Sequence, residues 1–199
     1  MTQRGRKATV ALVAAAVLMV TGRANANQEQ TAAAADWEAT IVLHVANYAK
    51  LPNGLLNVAM ARVGNVYERI GVRVVWVEDV GSVNRRQDGQ LHLTVVLLSR
   101  DMAERTIKTY GINDGVLGQA HPPSGRASVL CDRIAATSTH LATSLGDVIA
   151  HEVGHLLLGW NSHSYGGIMR ANMDVRTLQL QSFDDTQARA IRRSLADLH

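Results

Sequence analysis

The sequence predicts an α/β (α+β) fold: a twisted, mostly parallel sheet with one antiparallel edge strand, two long helices and a small C-terminal part that ends in a helix. Three observations support this prediction. A β-branched apolar run precedes a helical repeat and two further apolar runs. A tight turn then separates two short strands, and a long apolar helix follows them. The order strand, helix, strand, strand is typical of a parallel sheet with a right-handed first crossover.

The first half of the chain contains the parallel part of this sheet. Thr40–Ala49 is apolar and β-branched enough for a buried strand, and Leu55–Ile70 has apolar residues at helical spacing until Gly71 ends the helix. The other predicted elements here are strands at Val72–Val77 and Leu91–Leu98 and a short helix at Asp101–Thr109.

The second half contains the predicted edge strand and the long helix. Two strands, Gly115–His121 and Ala127–Ile134, are joined by a Pro-Pro-Ser-Gly turn that makes them antiparallel, and Cys131 is expected to be buried in the second. The remaining predictions are a helix from a hydroxyl cap at Thr137 or Ser138 to Gly159, an irregular stretch at Asn161–Asp174, and a final helix at Phe183–Leu198 capped by Ser182 or Asp184.

The N-terminus predicts export. Residues 1–7 contain three basic residues and no acid, Ala8–Val20 is apolar, and Ala24-Asn25-Ala26 is typical of a signal-peptide cleavage site. We therefore expect a signal peptide at 1–26, a short flexible leader at 27–36, a single domain at 37–199, and a secreted or periplasmic location. A permanent membrane anchor is the alternative, but the apolar run is shorter than the roughly 20 residues that a span needs.

Charge and cysteine content exclude some classes of protein. The chain has 20 basic and 17 acidic residues, but residues 1–26 hold four of the basic ones and no acid, so 16 basic residues remain against 17 acidic. The basic balance of the whole chain is therefore no argument for nucleic-acid binding. A single cysteine allows no internal disulfide, so a packed core must stabilise the fold. We expect a monomer with no nucleic-acid partner and no stable membrane anchor.

The most informative motif is His-Glu-Val-Gly-His at residues 151–155. In a helix His151 and His155 share one face, so their imidazoles converge, and Glu152 lies beside them. Such a pattern also arises by chance, and two ordinary, partly buried histidines are the alternative. Its place inside a long apolar helix favours a zinc site with an attached base.

A catalytic zinc site needs a third protein ligand and one open position. Glu152 is the last glutamate of the chain, so no downstream glutamate can complete the site. His163 is the nearest candidate, eight residues after His155 and just past a helix-ending Gly159. The downstream alternatives that remain open are His199, Asp174, Asp184, Asp185 and Asp197.

The motif resembles that of the metzincins, and laid without gaps it resembles the matrixin-like form, which ends in a methionine turn. The matching positions are His151, Glu152, Gly154, His155 and Met169. Two positions depart from the pattern: the family glycine, expected at Leu158, appears at Gly159, and the third histidine, expected at Asn161, appears at His163. The resemblance implies one catalytic Zn2+ ion on His151, His155 and His163, with Glu152 as general base.

The resemblance also implies an activity, that of an exported zinc endopeptidase acting on a polypeptide substrate. Gly115–His121 would align the substrate by main-chain hydrogen bonds, Met169 would pack below the histidines, and Tyr165 is a weaker candidate for stabilising an oxyanion. Two alternatives remain open. A catalytically silent metal-binding or interaction domain has no need of Glu152, whereas a zinc hydrolase of a non-peptide amide would differ only in its substrate groove.

Overall fold

The computed structural model describes residues 39–78, 85–87, 89–173, 175–176 and 178–197. The predicted signal peptide and leader lie outside these residues, as do Asp174 and His199, two of the candidate third ligands. Within the described part of the chain, no helix is both long and apolar enough to cross a membrane.

The sheet is mostly parallel, and its edge strand is antiparallel. The strands are β1 (Ala39–Asn47), β2 (Val72–Val77), β3 (Arg86–Gln87), β4 (Gln90–Leu97), β5 (Gly118–His121) and β6 (Arg126–Val129). Their order is β2-β1-β4-β6-β5, with the short β3 paired antiparallel to β4. β1 is parallel to both β2 and β4, and β4 is parallel to β6. The antiparallel pair of β5 and β6 places β5 at one edge, which confirms the predicted class of fold.

Among the described residues, five α-helices accompany the sheet: α1 (Asn53–Glu68), α2 (Arg100–Tyr110), α3 (Cys131–Thr137), α4 (Leu141–Leu158) and α5 (Asp185–Ala196). The core lies between one face of the sheet and the helices α1 and α4. Fully buried side chains from each layer meet there, including Ile41, Leu43, Val63, Leu145 and Val153. A smaller cluster around Val96 and Leu130 packs under α2 on the opposite face.

α1 and α4 approach closely at Gly146. A β-carbon there would lie 2.7 Å from the Ala59 carbonyl oxygen, so only glycine permits this distance between the helices. Beside it the buried Asp147 accepts from the Arg62 guanidinium at 2.8 Å, Nε to Oδ1. Burial raises the pKa of Asp147, although the hydrogen bond and charge of Arg62 lower it. This contact fixes the first half of α4, and with it the position of the histidine motif.

The segment from 126 to 140 corrects two predictions. The strand predicted at Ala127–Ile134 ends at Val129, and Cys131 begins α3 instead of lying in a strand. The following Ala-Ala-Thr extends a helix readily, which a pattern of apolar residues alone does not show. Cys131 is nevertheless buried, and this burial raises the pKa of its thiol to about 12, so the thiol is unreactive.

The expected hydroxyl cap of α4 is also wrong. Ser138 ends α3, and α4 begins three residues later at Leu141 with no side-chain cap. The Ser138 hydroxyl instead accepts a hydrogen bond from the His140 backbone N–H in the short connection. The predicted end of α4 and the predicted cap of α5 are confirmed: α4 ends at the residue before Gly159, and Asp184 caps α5.

Candidate metal centre

Helix α4 supplies the first two histidines. His151 and His155 are one turn apart on its buried face, and their Nε2 atoms lie 3.1 Å from each other. The side chains are 6% and 8% exposed, so they face a recess and not open solvent. The pKa of His151 is lowered to about 4 and that of His155 is also lowered, chiefly because burial disfavours the charged imidazolium. Both rings are therefore neutral near pH 7, the form that binds a metal.

The third histidine comes from the loop after α4. Gly159 has a φ of +91°, a conformation that glycine adopts without strain, and the chain turns back there. His163 then places its Nε2 atom 3.0 Å from Nε2 of His155. One nitrogen from each of the three imidazoles lies within 4.8 Å of the other two. Asn161, at the position of the family's third histidine, is exposed.

The other candidate third ligands in the described residues are aspartates at the ends of α5. Asp184 is occupied as the cap of α5, where it accepts the backbone N–H of Gln187. Asp185 and Asp197 are exposed at the two ends of the same helix. Of the downstream candidates that the structure describes, His163 is thus the one that lies with the two helical histidines.

The contacts of the opposite ring nitrogens indicate what the cluster can hold. Nδ1 of His151 lies 2.8 Å from the Ile168 carbonyl oxygen, and Nδ1 of His155 lies 3.2 Å from that of Gly159. A carbonyl only accepts, so each Nδ1 carries the proton and each neutral ring presents a lone pair at Nε2. These lone pairs converge on one point. Zinc bonds of about 2.0–2.1 Å at tetrahedral angles separate the ligand nitrogens by about 3.3 Å, so the cluster fits a zinc ion after a small adjustment.

Glu152 lies beside the cluster and under the edge strand. Its side chain is 6% exposed, and burial raises its pKa to about 8, although a hydrogen bond from the Ala120 backbone lowers it. Strand β5 approaches Glu152 closely because residue 118 is glycine: a β-carbon there would lie 2.7 Å from the carboxylate atom Oε1. The geometry holds one carboxylate, poorly hydrated, next to the three imidazoles.

Strand β5 presents main-chain groups toward this carboxylate. The Leu130 N–H donates to the Leu117 carbonyl, so in the antiparallel register Gln119 and His121 also exchange hydrogen bonds with β6. Gly118 and Ala120 therefore direct their N–H and C=O groups away from β6. The Ala120 N–H meets Glu152 in this way.

Strand β5, α4 and the loop after it enclose a cleft of about 510 Å³. Residues 115–120 line one side of this cleft, and residues 171–173 line the other side. His151, Glu152 and His155 lie at its base. Trp160 and His163 also line it. Tyr165, the weaker oxyanion candidate, is fully exposed and is not among the lining residues.

The turn after His163 supports the cluster from below. Met169 is fully buried, and a β-carbon on Gly154 would run into its Sδ atom and lie 3.1 Å from Cε1 of Phe183. The neighbouring Ile168 carbonyl is the group that holds His151. Gly154 thus allows this turn to pack directly against α4.

We expect Gly154→Ala to lower the free energy of unfolding by about 1–3 kcal/mol, the usual cost of overpacking a core. The displaced turn should also weaken metal binding, because it carries the partner of His151. Urea unfolding and a zinc competition titration measure the two effects. Gly64→Ala is the matched control: it is also inside a helix, nothing lies near its β-carbon, and it should stabilise the protein slightly. Equal stability changes in both variants would contradict the packing argument.

Sequence reasoning missed the residues that position the cluster. Gly118, Ser162 and Gln187 belong to no metal-binding motif, and their roles depend on contacts that appear only in the folded chain. The sequence signal for Gln187 was its spacing of three from Asp184, the pattern of a capping box. That signal predicts a helix start and gives no indication of the contact with Ser162.

Comparison with known proteins supports the fold. No protein-family model matches the sequence, and no curated protein matches it. The crystal structure of archaemetzincin from Methanopyrus kandleri is similar to this chain, with a TM-score of 0.51 over 79% of this chain and 96% of that chain. The fold is metzincin-like. Sequence identity is 15%, so the likeness concerns the fold alone, and the matrixin-like details of the motif receive no support from it.

Proposed function

We propose that the protein is an exported zinc endopeptidase, with His151, His155 and His163 as the zinc ligands and Glu152 as the general base. The observation that supports this most is the convergence of three imidazole nitrogens beside a buried carboxylate, in a cleft bordered by the edge strand β5. A purely structural zinc site closes with four ligands and needs no neighbouring base. The metzincin-like fold is consistent with the same proposal.

In this proposal each residue has a defined task. Zinc bound at such a site would supply Lewis acidity: it would activate water and polarise the carbonyl group whose carbon the water attacks. Glu152 accepts the proton of the attacking water and delivers it to the leaving amine. The Ala120 N–H holds the carboxylate in place. The carbonyls of Ile168 and Gly159 keep two imidazoles in the tautomer that binds metal.

The edge of β5 favours a polypeptide over a small amide as substrate. Gly118 and Ala120 direct main-chain groups along the cleft, and an extended peptide can pair with such an edge as an added strand. A compact non-peptide amide would leave most of this edge unused. The silent metal-binding alternative leaves both the edge and Glu152 without a role.

Metal removal tests the proposal. The purified mature protein should contain close to one zinc per chain, cleave an unstructured protein, lose cleavage on treatment with a chelator, and recover it when zinc is added back. Elemental analysis and peptide mapping of the products measure these results. Cleavage that survives complete zinc removal would refute the zinc mechanism, and a zinc-loaded protein that hydrolyses only small amides would refute the peptide substrate.

The export part of the proposal predicts a mature N-terminus at or near Asn27, outside the cytoplasm, because the small residues at 24–26 suit signal cleavage. N-terminal sequencing of the protein recovered from its natural host decides this point. A protein that keeps Met1 and sediments with membranes would instead support the anchored alternative.

A further inference from the structure

Gln187 is a buried polar residue in the first turn of α5. It is 9% exposed and makes three hydrogen bonds. Its backbone N–H donates to Oδ1 of Asp184 at 2.8 Å, and its Oε1 accepts from the Asp184 backbone N–H at 3.2 Å, which completes a capping box. The capping box uses only the oxygen of the side-chain amide. The nitrogen Nε2 is directed elsewhere and donates to the carbonyl of Ser162 at 3.0 Å.

Ser162 contacts or adjoins two of the three histidines, His155 and His163. It precedes His163 directly, and its hydroxyl donates to the Gly159 carbonyl at 2.7 Å. The same hydroxyl oxygen lies 2.9 Å from Nδ1 of His155. His163 itself is exposed and lies in an irregular loop, so the local secondary structure does little to hold its backbone. Holding the Ser162 carbonyl therefore restricts the backbone from which the His163 side chain extends.

The segment that precedes α5 makes a second contact of this kind. The Ser182 carbonyl accepts from the Ile168 N–H at 3.0 Å, and the Ile168 carbonyl in turn lies 2.8 Å from Nδ1 of His151. Residues 182–187 are thus one hydrogen bond away from the groups that orient the histidines. Helix α5 begins more than 20 residues after His163, yet it and the segment before it make hydrogen bonds that hold the residues around the three histidines.

We propose that Gln187 is a positioning residue for His163: its side-chain nitrogen fixes the loop after α4 and so preorganises the three imidazoles for zinc. The proposal rests on the zinc site proposed above. Partners of this kind in metal sites typically contribute 10-fold to 100-fold in metal affinity, and Gln187, which acts through a backbone carbonyl, should contribute about 10-fold.

Two substitutions separate this role from helix capping. Gln187→Glu keeps an oxygen for the Asp184 N–H, as in the commonest capping box, and replaces the donor to Ser162 by a carboxylate oxygen that the Ser162 carbonyl cannot accept from. The added negative charge would, by attraction alone, strengthen zinc binding, so a weaker affinity points to the lost donor. Asp184→Ala does the reverse, since it removes the side-chain cap and leaves the Gln187 donor in place.

The test measures zinc affinity by chelator competition and the thermal unfolding midpoint of the metal-free protein, for the full mature chain and both variants. We expect Gln187→Glu to bind zinc about 10-fold more weakly with an unfolding midpoint near that of the unsubstituted protein. Asp184→Ala should lower the midpoint and keep the zinc affinity. The absorption spectrum of the cobalt-loaded protein should change in Gln187→Glu only, because only this variant alters ligand geometry.

Zinc affinity within twofold of the unsubstituted protein in both Gln187→Glu and the uncharged Gln187→Met would overturn the proposal. An equal loss of affinity in both variants would overturn it too, since helix stability would then explain the effect. If Gln187→Glu fails to fold, Gln187→Met compared with Asp184→Ala at matched midpoints decides the question, with weaker zinc binding expected in the former alone. An unsubstituted protein that binds no zinc would instead refute the zinc site itself.

Discussion

Replacing Glu152 by Gln should leave close to one zinc per chain and reduce peptide hydrolysis by about 10²-fold to 10⁴-fold, the usual contribution of a general base. Glutamine has the same shape and can still meet the Ala120 N–H with its amide oxygen, so the packing under β5 is preserved. It cannot take a proton from water. Elemental analysis and the rate of cleavage of an unstructured protein measure the two quantities.

Glu152→Ala separates loss of the base from damage to the site. It removes the contact with β5, and it should lose activity to a similar extent while it still retains the metal. Zinc loss in both variants would show that Glu152 belongs to the coordination of the metal. Full activity in Glu152→Gln would show that another group accepts the proton.

His163→Ala should lose most of its zinc and all measurable hydrolysis. Loss of a residue that only supports a ligand already costs 10-fold to 100-fold in metal affinity, so loss of a ligand should cost more than about 100-fold. The side chain of His163 is exposed, and its removal leaves no cavity in the core, so the metal-free protein should unfold near its usual midpoint. Zinc competition titration and thermal unfolding measure both effects.

Asn161→Ala is the matched control, since it lies in the same exposed loop and stands where the family pattern has its third histidine. It should keep both zinc and activity. The opposite result, with metal lost from Asn161→Ala and kept by His163→Ala, would move the third ligand to Asn161. If both variants retain tightly bound zinc, the third ligand would instead be an aspartate.

The class of fold was predictable because its signals are local. β-branched apolar runs located β1 and β2, and helical apolar periods located α1 and α4, to within a few residues. The Pro-Pro-Ser-Gly turn predicted the antiparallel edge. Predictions failed where two elements meet within a few residues. Near Cys131 a strand changes to a helix in two residues, and no periodicity can develop over so short a distance.

The candidate centre was predictable to the extent that it lies on one helix. His151, Glu152 and His155 have a fixed spacing, so their proximity follows from helix geometry. The approach of His163 depends on the turn at Gly159, and from the sequence alone several downstream residues could have been the third ligand. The environment of Glu152 depends on Gly118, 34 residues away, whose missing β-carbon has no local signature.

The free edge of β5 also bears on how copies of this chain behave toward each other. Unpaired main-chain groups on a strand edge attract strands from other molecules, which is a common route to aggregation. Here the edge strand is four residues long, Gly118 in it is buried, and Pro122 and Pro123 follow it directly. Proline offers no N–H to a partner strand, so pairing cannot extend past His121. Strand pairing between two copies along β5 is therefore limited to the few hydrogen bonds that four residues can offer.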